Sequence, residues 1–244
     1  MFQLFKKKSS RPIISDFSIL GADMHSHLVP GIDDGSKSVE MSLDMIRGLM
    51  ALGYQKIITT PHIRPDYFPN TTETIMTGFG ELQKAVEKEK LDIELECAAE
   101  YFVDYEFREK IDNEDLLTFS GNHILIEIST FSPPPNLYES IFQLKIKGYQ
   151  PIVAHPERYT YYQVDEFRKL KDFGCLLQVN TMSLTGHYGK PIKELAQKLL
   201  KADLVDLLGT DMHHPGHLEV LQKASKDGKI MNLIANKEFR NATL

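Results

Sequence analysis

The sequence contains only two cysteines, Cys97 and Cys175, among its 244 residues. Two cysteines cannot form the disulfide framework of a small secreted domain, and so low a count is typical of proteins in a reducing compartment. Long apolar runs are also lacking, because lysines and a proline interrupt the N-terminal region and the next apolar stretch contains Asp16. We therefore predict no signal peptide, no membrane insertion and a cytoplasmic location.

A basic excess is absent as well. The formal net charge is -6, whereas a general nucleic-acid-binding protein presents a basic face, so no nucleic-acid partner is expected. The chain has no internal repeat, and its length with 42% hydrophobic residues suffices for one sizeable core. We predict a single domain over residues 1–244, in which residues 1–16 form a flexible N-terminal segment.

Short apolar runs alternate with runs of helical periodicity along the whole chain. The predicted strands are Ser18–Ala22, Lys56–Thr59, Ile93–Cys97, Ile124–Ile128, Pro151–Ala154, Leu176–Val179 and Leu204–Leu208. The predicted helices are Val39–Leu52, Thr72–Lys90, Asn136–Lys147, Val164–Phe173, Ile192–Ala202 and Leu218–Lys226. Apolar strands that alternate with amphipathic helices indicate a parallel sheet covered by helices. Seven such units favour a small (β/α) barrel, and a doubly wound open sheet is the alternative.

Polar side chains of one chemical kind follow the predicted strands. Six of the seven strand ends carry a histidine, aspartate or glutamate, and these residues are His25, His27, Asp33, Asp34, His62, Glu100, Glu127, His155, Glu157, Asp211 and His213. In a parallel barrel all carboxyl ends of the strands open onto one face, where active sites form. Residues distant in sequence would therefore converge on one pocket.

The spacing of His25 and His27 suits the binding of a cation. Residues two apart on an extended segment point the same way, so the two imidazoles can chelate one metal ion. Glu100 and Asp211 can complete the site and bridge to a second metal. A mixture of imidazole and carboxylate ligands suits zinc, manganese or iron better than calcium or magnesium.

These motifs resemble those of the PHP (polymerase and histidinol phosphatase) superfamily, and within it the bacterial tyrosine-protein phosphatases of the CpsB/YwqE type. The matching segments are D-M-H-S-H-L-V-P-G-I-D-D-G (Asp23–Gly35), T-T-P-H (Thr59–His62), A-A-E-Y (Ala98–Tyr101), L-I-E (Leu125–Glu127), A-H-P-E-R-Y (Ala154–Tyr159) and G-T-D-M-H (Gly209–His213). They occur in family order and span nearly the whole chain. The first segment is specific to this subgroup, and each of the others is less so.

The resemblance implies a distorted (β/α)7 barrel of the PHP type that holds three divalent metal ions, most often manganese, with iron or zinc as alternatives. The first metal would be held by His25, His27, Glu100 and Asp211; the second by Glu100, Glu127 and His155; and the third by Asp34, His62 and His213. The resemblance further implies that Arg158 of the H-P-E-R motif binds the phosphate group of the substrate.

The family often carries a second arginine shortly after the D-x-H motif, and this chain has none there. His217 is a candidate to replace this arginine by donating a hydrogen bond to the phosphate. His213 or His217 is a candidate general acid. Of the other histidines, we expect His123 to be structural, His187 to be exposed, and His214 to lie with His217 at the rim of the pocket.

The implied activity is hydrolysis of phosphotyrosine by a hydroxide that the metals activate. The implied partner is a phosphotyrosine-containing protein, in particular the tail of a bacterial tyrosine autokinase of capsule or exopolysaccharide synthesis. Cysteine-based tyrosine phosphatases need Cys-x5-Arg, but Val103 and Thr181 stand where Cys97 and Cys175 would require arginine.

Two alternatives stay open at this point. One is a phosphatase for a small phosphomonoester such as histidinol phosphate, and the other is a catalytically silent scaffold that retains the barrel without the metals. The sequence also leaves open whether the chain forms a homo-oligomer, and whether the loop Pro133–Pro135 is a lid or a spacer.

Overall fold

The computed structural model describes residues 16–244, so nearly all of the predicted flexible segment lies outside the described residues. The strands in this range are β1 (Ala22–Asp23), β2 (Lys56–Thr59), β3 (His62–Ile63), β4 (Glu94–Cys97), β5 (Glu100–Phe102), β6 (His123–Glu127), β7 (Gln150–Ala154), β8 (Leu176–Asn180) and β9 (Leu207–Gly209). The helices are α1 (Val39–Ala51), α2 (Thr72–Lys88), α3 (Tyr105–Asn113), α4 (Leu137–Ile146), α5 (Val164–Asp172), α6 (Lys190–Lys201), α7 (Pro215–Lys226) and α8 (Gly228–Ala235).

Nine strands occupy seven positions because two strand positions are interrupted. Thr60 and Pro61 separate β2 from β3, and Ala98 and Ala99 separate β4 from β5. All pairings are parallel, in the orders β1-β2-β4 and β3-β5-β6-β7-β8-β9. Each position is followed by a helix, which gives the seven β-then-α units predicted from the sequence.

The first and last strand positions are joined just beyond β1 and β9. Ser26 and Met212 form a parallel bridge. On either side of it, the Asp211 N–H donates to the carbonyl of His25 and the His27 N–H donates to the carbonyl of Met212, both at 2.8 Å. This connection brings the two ends of the strand series together, so the chain forms the distorted (β/α)7 barrel rather than the open sheet.

Alternate strand residues pack into two separate apolar clusters. Ile58, Leu125, Ile152 and Leu207 belong to a small cluster that fills the barrel. Their chain neighbours, among them Ile57, belong to the large cluster between the strands and the helices. This two-residue alternation is what a strand covered on both faces requires. No helix within residues 16–244 is long and apolar enough to cross a membrane.

The predicted strand Ser18–Ala22 is wrong. The segment from Phe17 to Leu20 forms a turn, in which the Leu20 N–H donates to the carbonyl of Phe17 at 2.9 Å, and β1 begins only at Ala22. Phe17 and Leu20 are buried while Ile19 is 42% exposed, so an apolar run here reflects the packing of a turn. The sequence analysis also failed to predict α3. This helix is highly charged and has few buried residues, so few apolar residues mark its helical period.

Candidate metal centre

The inward faces of the barrel strands become polar at their carboxyl ends. Glu100 lies two residues after buried Ala98, and Glu127 lies two residues after buried Leu125. Because side chains two apart on a strand point the same way, both carboxylates lie above the apolar filling of the barrel.

Four of the predicted ligands form one tight group. His25 Nε2 lies 3.2 Å from both His27 Nε2 and Glu100 Oε2, and 3.4 Å from Asp211 Oδ1. His27 Nε2 lies 3.4 Å from Glu100 Oε2 and 3.5 Å from Asp211 Oδ1. All four side chains are buried. Nitrogen and oxygen atoms that could bind a metal, from β5 and from the two joined ends of the barrel, thus converge on one point.

The other oxygen of Glu100 belongs to a second group. His155 Nε2 lies 2.9 Å from Glu100 Oε1 and 4.0 Å from Glu127 Oε2. His62 Nδ1 lies 3.2 Å from Glu100 Oε2 and 3.5 Å from Glu127 Oε1. Glu100 therefore stands between the two groups: Oε1 faces His155, whereas Oε2 faces both the first group and His62.

A third group lies nearer to solvent. Asp34 Oδ1 lies 3.6 Å from His62 Nε2 and 3.5 Å from His213 Nε2, and its carboxylate is more than half exposed. His62 thus directs its two ring nitrogens toward different groups, a relationship that the sequence did not reveal.

The nitrogen and oxygen atoms of these groups are better placed to bind cations than to form hydrogen bonds with one another. His62 Nδ1 and Glu127 Oε1 are buried and make no hydrogen bond with any residue of the described chain. Burial, reinforced by the charge of Glu100, raises the pKa of Glu127 to about 8. Buried charges need partners, and divalent cations would provide them for these carboxylates and for the unpaired nitrogen.

Polar side chains behind the ligands fix their orientation. Asp33 Oδ2 lies 2.8 Å from His27 Nδ1, and Gln178 Oε1 lies 2.8 Å from His25 Nδ1. Asn180 Nδ2 donates to Asp211 Oδ2 at 2.7 Å. Such outer contacts select the ring tautomer and orient the ligand atoms. Gln178 and Asn180 were missed by the sequence analysis, although polar residues within the otherwise apolar strand β8 were a usable signal.

Two residues of these groups have unusual backbone conformations. His155 has φ 33° and Asp211 has φ 54°, in the left-handed region that non-glycine residues rarely adopt. His155 is the first residue after β7, and Asp211 is the second residue after β9. Strained backbone of this kind is concentrated at functional sites, where the surrounding structure maintains it.

The groups open into a cavity of about 350 Å³ on the carboxyl face of the barrel. Arg158 lines it, with Nη1 3.6 Å from Asp211 Oδ2. His213, His214 and His217 line it too, which confirms that the last two lie at the pocket. His187 is exposed, as predicted. His123 stacks on Phe119 with ring centroids 5.7 Å apart, at the amino end of β6.

Neither cysteine resembles a nucleophile. Cys97 and Cys175 are both buried and free, and neither lines the cavity. Burial raises the pKa of Cys175 to about 12 and also raises that of Cys97. A thiol that stays protonated at neutral pH is a poor nucleophile, in agreement with the missing Cys-x5-Arg motif.

Curated relatives similar to this chain are tyrosine-protein phosphatases. Tyrosine-protein phosphatase YwqE of Bacillus subtilis is 29% identical over 196 residues, which cover 79% of this chain and 77% of the relative. Tyrosine-protein phosphatase CpsB of Streptococcus pneumoniae is 28% identical over 200 residues, covering 79% and 82%.

Solved structures lead to the same group. The structure described as YwqE from Bacillus subtilis and CpsB from Streptococcus pneumoniae, "unique metal-dependent tyrosine phosphatases", matches with a TM-score of 0.75 and 25% identity over 89% of this chain and 96% of that one. Histidinol phosphate phosphatase from Lactococcus lactis matches with a TM-score of 0.56 and 14% identity over 90% and 95%, which shows a shared fold. The family model for capsular polysaccharide synthesis, CpsB/CapC, matches residues 21–229, and the chain therefore belongs to the CpsB/CapC family.

Proposed function

We propose that this protein is a metal-dependent phosphatase that removes phosphate from phosphotyrosine on a protein substrate. The observation that carries the proposal is the tight group of donor atoms, in which the Nε2 atoms of His25 and His27 each lie within 3.5 Å of both Glu100 and Asp211. This group lies beside Arg158, a phosphate-binding type of side chain. The names of the relatives support phosphotyrosine as the substrate.

The three donor groups support the proposal that the protein binds three cations. His25, His27, Glu100 and Asp211 would hold the first. Glu100, Glu127 and His155 would hold the second, while Asp34, His62 and His213 would hold the third. We propose manganese, with iron or zinc as alternatives, because the ligands combine imidazole with carboxylate. His62 Nδ1 also faces the second group, so its ring would link the second and third sites.

When bound, the cations would supply an activated water and neutralise charge on the phosphate oxygens. Arg158 would bind two phosphate oxygens with its planar guanidinium group. Asp33 and Gln178 would keep His27 and His25 in the tautomer that leaves Nε2 free for a metal. A tyrosinate leaving group has a pKa of about 10, so strong acid assistance from His213 or His217 is not required.

The face around the cavity supports a protein substrate. Exposed aromatic side chains lie in the segments that follow three strands on this face: Tyr67 after β3 is 67% exposed, Tyr105 after β5 is 76% exposed and Phe131 after β6 is 93% exposed. Exposed aromatic side chains around a site are typical of protein-binding surfaces. We propose the tail of a cytoplasmic tyrosine autokinase of capsule synthesis as the partner.

The test is turnover of a phosphotyrosyl peptide with added manganese, by wild-type protein, an H25A/H27A double variant, R158A, and H123A as a control far from the cavity. We expect chelator and the double variant to abolish activity, R158A to raise KM strongly, and H123A to resemble wild type. Metal-loaded wild-type protein that hydrolyses histidinol phosphate but no phosphotyrosyl peptide would refute the substrate assignment. Purified protein that binds no metal would support the silent scaffold instead.

A further inference from the structure

We propose that Arg64 binds the phosphate group of the substrate together with Arg158, and so supplies a second guanidinium group to the cavity. This inference rests on the proposed phosphatase function. It concerns a residue to which neither the sequence motifs nor the donor groups assign a role. It would also explain how the chain manages without an arginine in the segment that follows Asp211-Met212-His213.

The backbone brings Arg64 to the same cavity as the third donor group. Arg64 follows β3 directly and lies two residues after His62, so the two side chains share a face of the extended segment. The Arg64 N–H donates to the carbonyl of Phe68 at 3.0 Å, and the Tyr67 N–H donates to the carbonyl of Arg64 at 3.0 Å. This closed turn places both His62 and Arg64 in the cavity lining.

Arg64 differs from the other arginines in having no carboxylate partner. Of the six arginines in residues 16–244, five form ion pairs: Arg47 with Glu89, Arg108 with Glu139, Arg158 with Asp211, Arg168 with Asp165 and Arg240 with Asp206. Arg64 forms none with any residue of that range. A partly buried cation that lines a cavity without a carboxylate beside it is available to an anionic ligand.

Two aromatic rings hold the Arg64 guanidinium in place. Its central carbon lies 4.4 Å from the ring centroid of Tyr67 and 4.3 Å from that of Phe102. Cation–π contacts stabilise the group without using its N–H donors. The donors therefore stay free, and little side-chain entropy would be lost when an anion binds.

The Arg64 and Arg158 side chains line the same cavity, together with residues of the second and third donor groups. Both guanidinium groups therefore face the space beside the donor groups, where the substrate phosphate would lie. Two planar forks can share the oxygens of one phosphate dianion.

The proposal is tested by phosphate affinity and by kinetics in manganese-loaded protein. Inorganic phosphate is titrated by calorimetry into wild type, R64A, R64K and the control R168A, whose exposed arginine pairs with Asp165 on α5. KM is then compared for 4-nitrophenyl phosphate and a phosphotyrosyl peptide. We expect R64A to weaken phosphate binding and raise both KM values by about tenfold or more. R64K should recover part of the loss, since lysine keeps the charge but not the fork.

Several results would overturn the assignment. Phosphate affinity of R64A within about twofold of wild type would remove Arg64 from the phosphate site. An effect on the peptide alone would place Arg64 against the polypeptide, and loss of bound manganese in R64A would show that it acts through the metals. Failure of the proposed function is a separate outcome: wild-type protein inactive on both substrates would refute it, while the phosphate titration would still decide the role of Arg64.

Discussion

Asp33 supports His27 from the side opposite to the donor group. Asp33 Oδ2 lies 2.8 Å from Nδ1 of His27, while Nε2 of the same ring lies 3.2 Å from Nε2 of His25. Asp33 Oδ1 also accepts from the Gly35 N–H at 2.9 Å. The next residue, Asp34, faces His62 and His213 instead. Two consecutive aspartates thus have different tasks, one as a support and one as a candidate ligand.

We predict that D33N weakens metal binding about 10–100-fold, the usual effect of losing a carboxylate that orients a metal-binding histidine. The amide can donate to Nδ1 and so favour the tautomer with a proton on Nε2, where the metal would bind. Affinity is measured by competition with a chromophoric chelator. D172N, which alters an exposed carboxylate on α5, is the matched control. Equal affinity in D33N and wild type would contradict the supporting role.

Metal affinity should rise with pH between about 6 and 9, because the ligands must lose protons to bind cations. Burial and Glu100 raise the pKa of Glu127 to about 8. Burial opposes protonation of His25, but Glu100 and Asp211 outweigh it and raise the pKa of His25 to about 9. Below these values, both groups carry protons in the metal-free protein, and the metal must displace them.

Proton release on adding manganese to weakly buffered, metal-free protein checks this dependence. E127Q should release about one proton fewer than wild type at pH 7, since glutamine does not titrate. Metal affinity that stays constant over this pH range would show that the ligands are already deprotonated before binding.

We predict that Glu157 makes the fold less stable as pH rises. Glu157 is buried and accepts hydrogen bonds from the Asn180 N–H and the Ser183 hydroxyl. Burial raises its pKa from 4.5 to about 7. Between these values the unfolded chain loses the proton first, so ionisation favours unfolding. Above pH 7 the cost is about 3 kcal/mol, from roughly 2.5 pKa units.

E157Q cannot ionise, so its free energy of unfolding relative to wild type should increase from pH 4.5 to pH 8. Denaturant unfolding of metal-saturated protein at several pH values measures the difference. E219Q, at an exposed position on α7, should show no such trend. A difference between E157Q and wild type that is independent of pH would refute the prediction.

His217 should act as a neutral hydrogen-bond donor rather than as a general acid. Its Nδ1 accepts from the His213 N–H at 3.3 Å, which leaves the proton on Nε2. Burial, together with His214 and His213, lowers its pKa to about 4, so the ring is neutral at pH 7. We expect H217A to weaken phosphate binding by about 3–10-fold, as for a lost neutral hydrogen bond.

The pH–rate profile separates these two roles. If His217 is a neutral donor, H217A should keep the wild-type profile shape at a higher KM, whereas loss of a general acid would remove the alkaline limb. H123Q, altered at the far end of the barrel, should change neither KM nor the profile. A profile of H217A without its alkaline limb would restore the general-acid hypothesis.

The barrel and its candidate ligands were largely predictable because both depend on local patterns. Apolar strands that alternate with amphipathic helices indicated seven units, and histidines and carboxylates at strand ends indicated one shared pocket. The short strands β3 and β5 were missed because they carry the polar residues His62 and Glu100 rather than an apolar run. Strand interruptions at Thr60-Pro61 and Ala98-Ala99 are also invisible to a periodicity argument.

The supporting contacts were not predictable in the same way. Gln178 reaches His25 across 153 residues of sequence, and such a pairing follows from the register of the assembled strands rather than from any local signal. Arg64 likewise gains its place from the turn that pairs it with Phe68. Its lack of an ion pair becomes visible only when the surroundings of all the described arginines are known.

The junction between Ser26 and Met212 has a consequence for the chain during its synthesis. His25 and His27 come from the first strand position and Asp211 from the last, and they meet only where this bridge forms. A ribosome-bound or truncated chain that stops before residue 211 lacks one wall of the first donor group. The first donor group is therefore complete only when the whole barrel has been synthesised and folded. Shorter fragments would not hydrolyse phosphorylated proteins before that point.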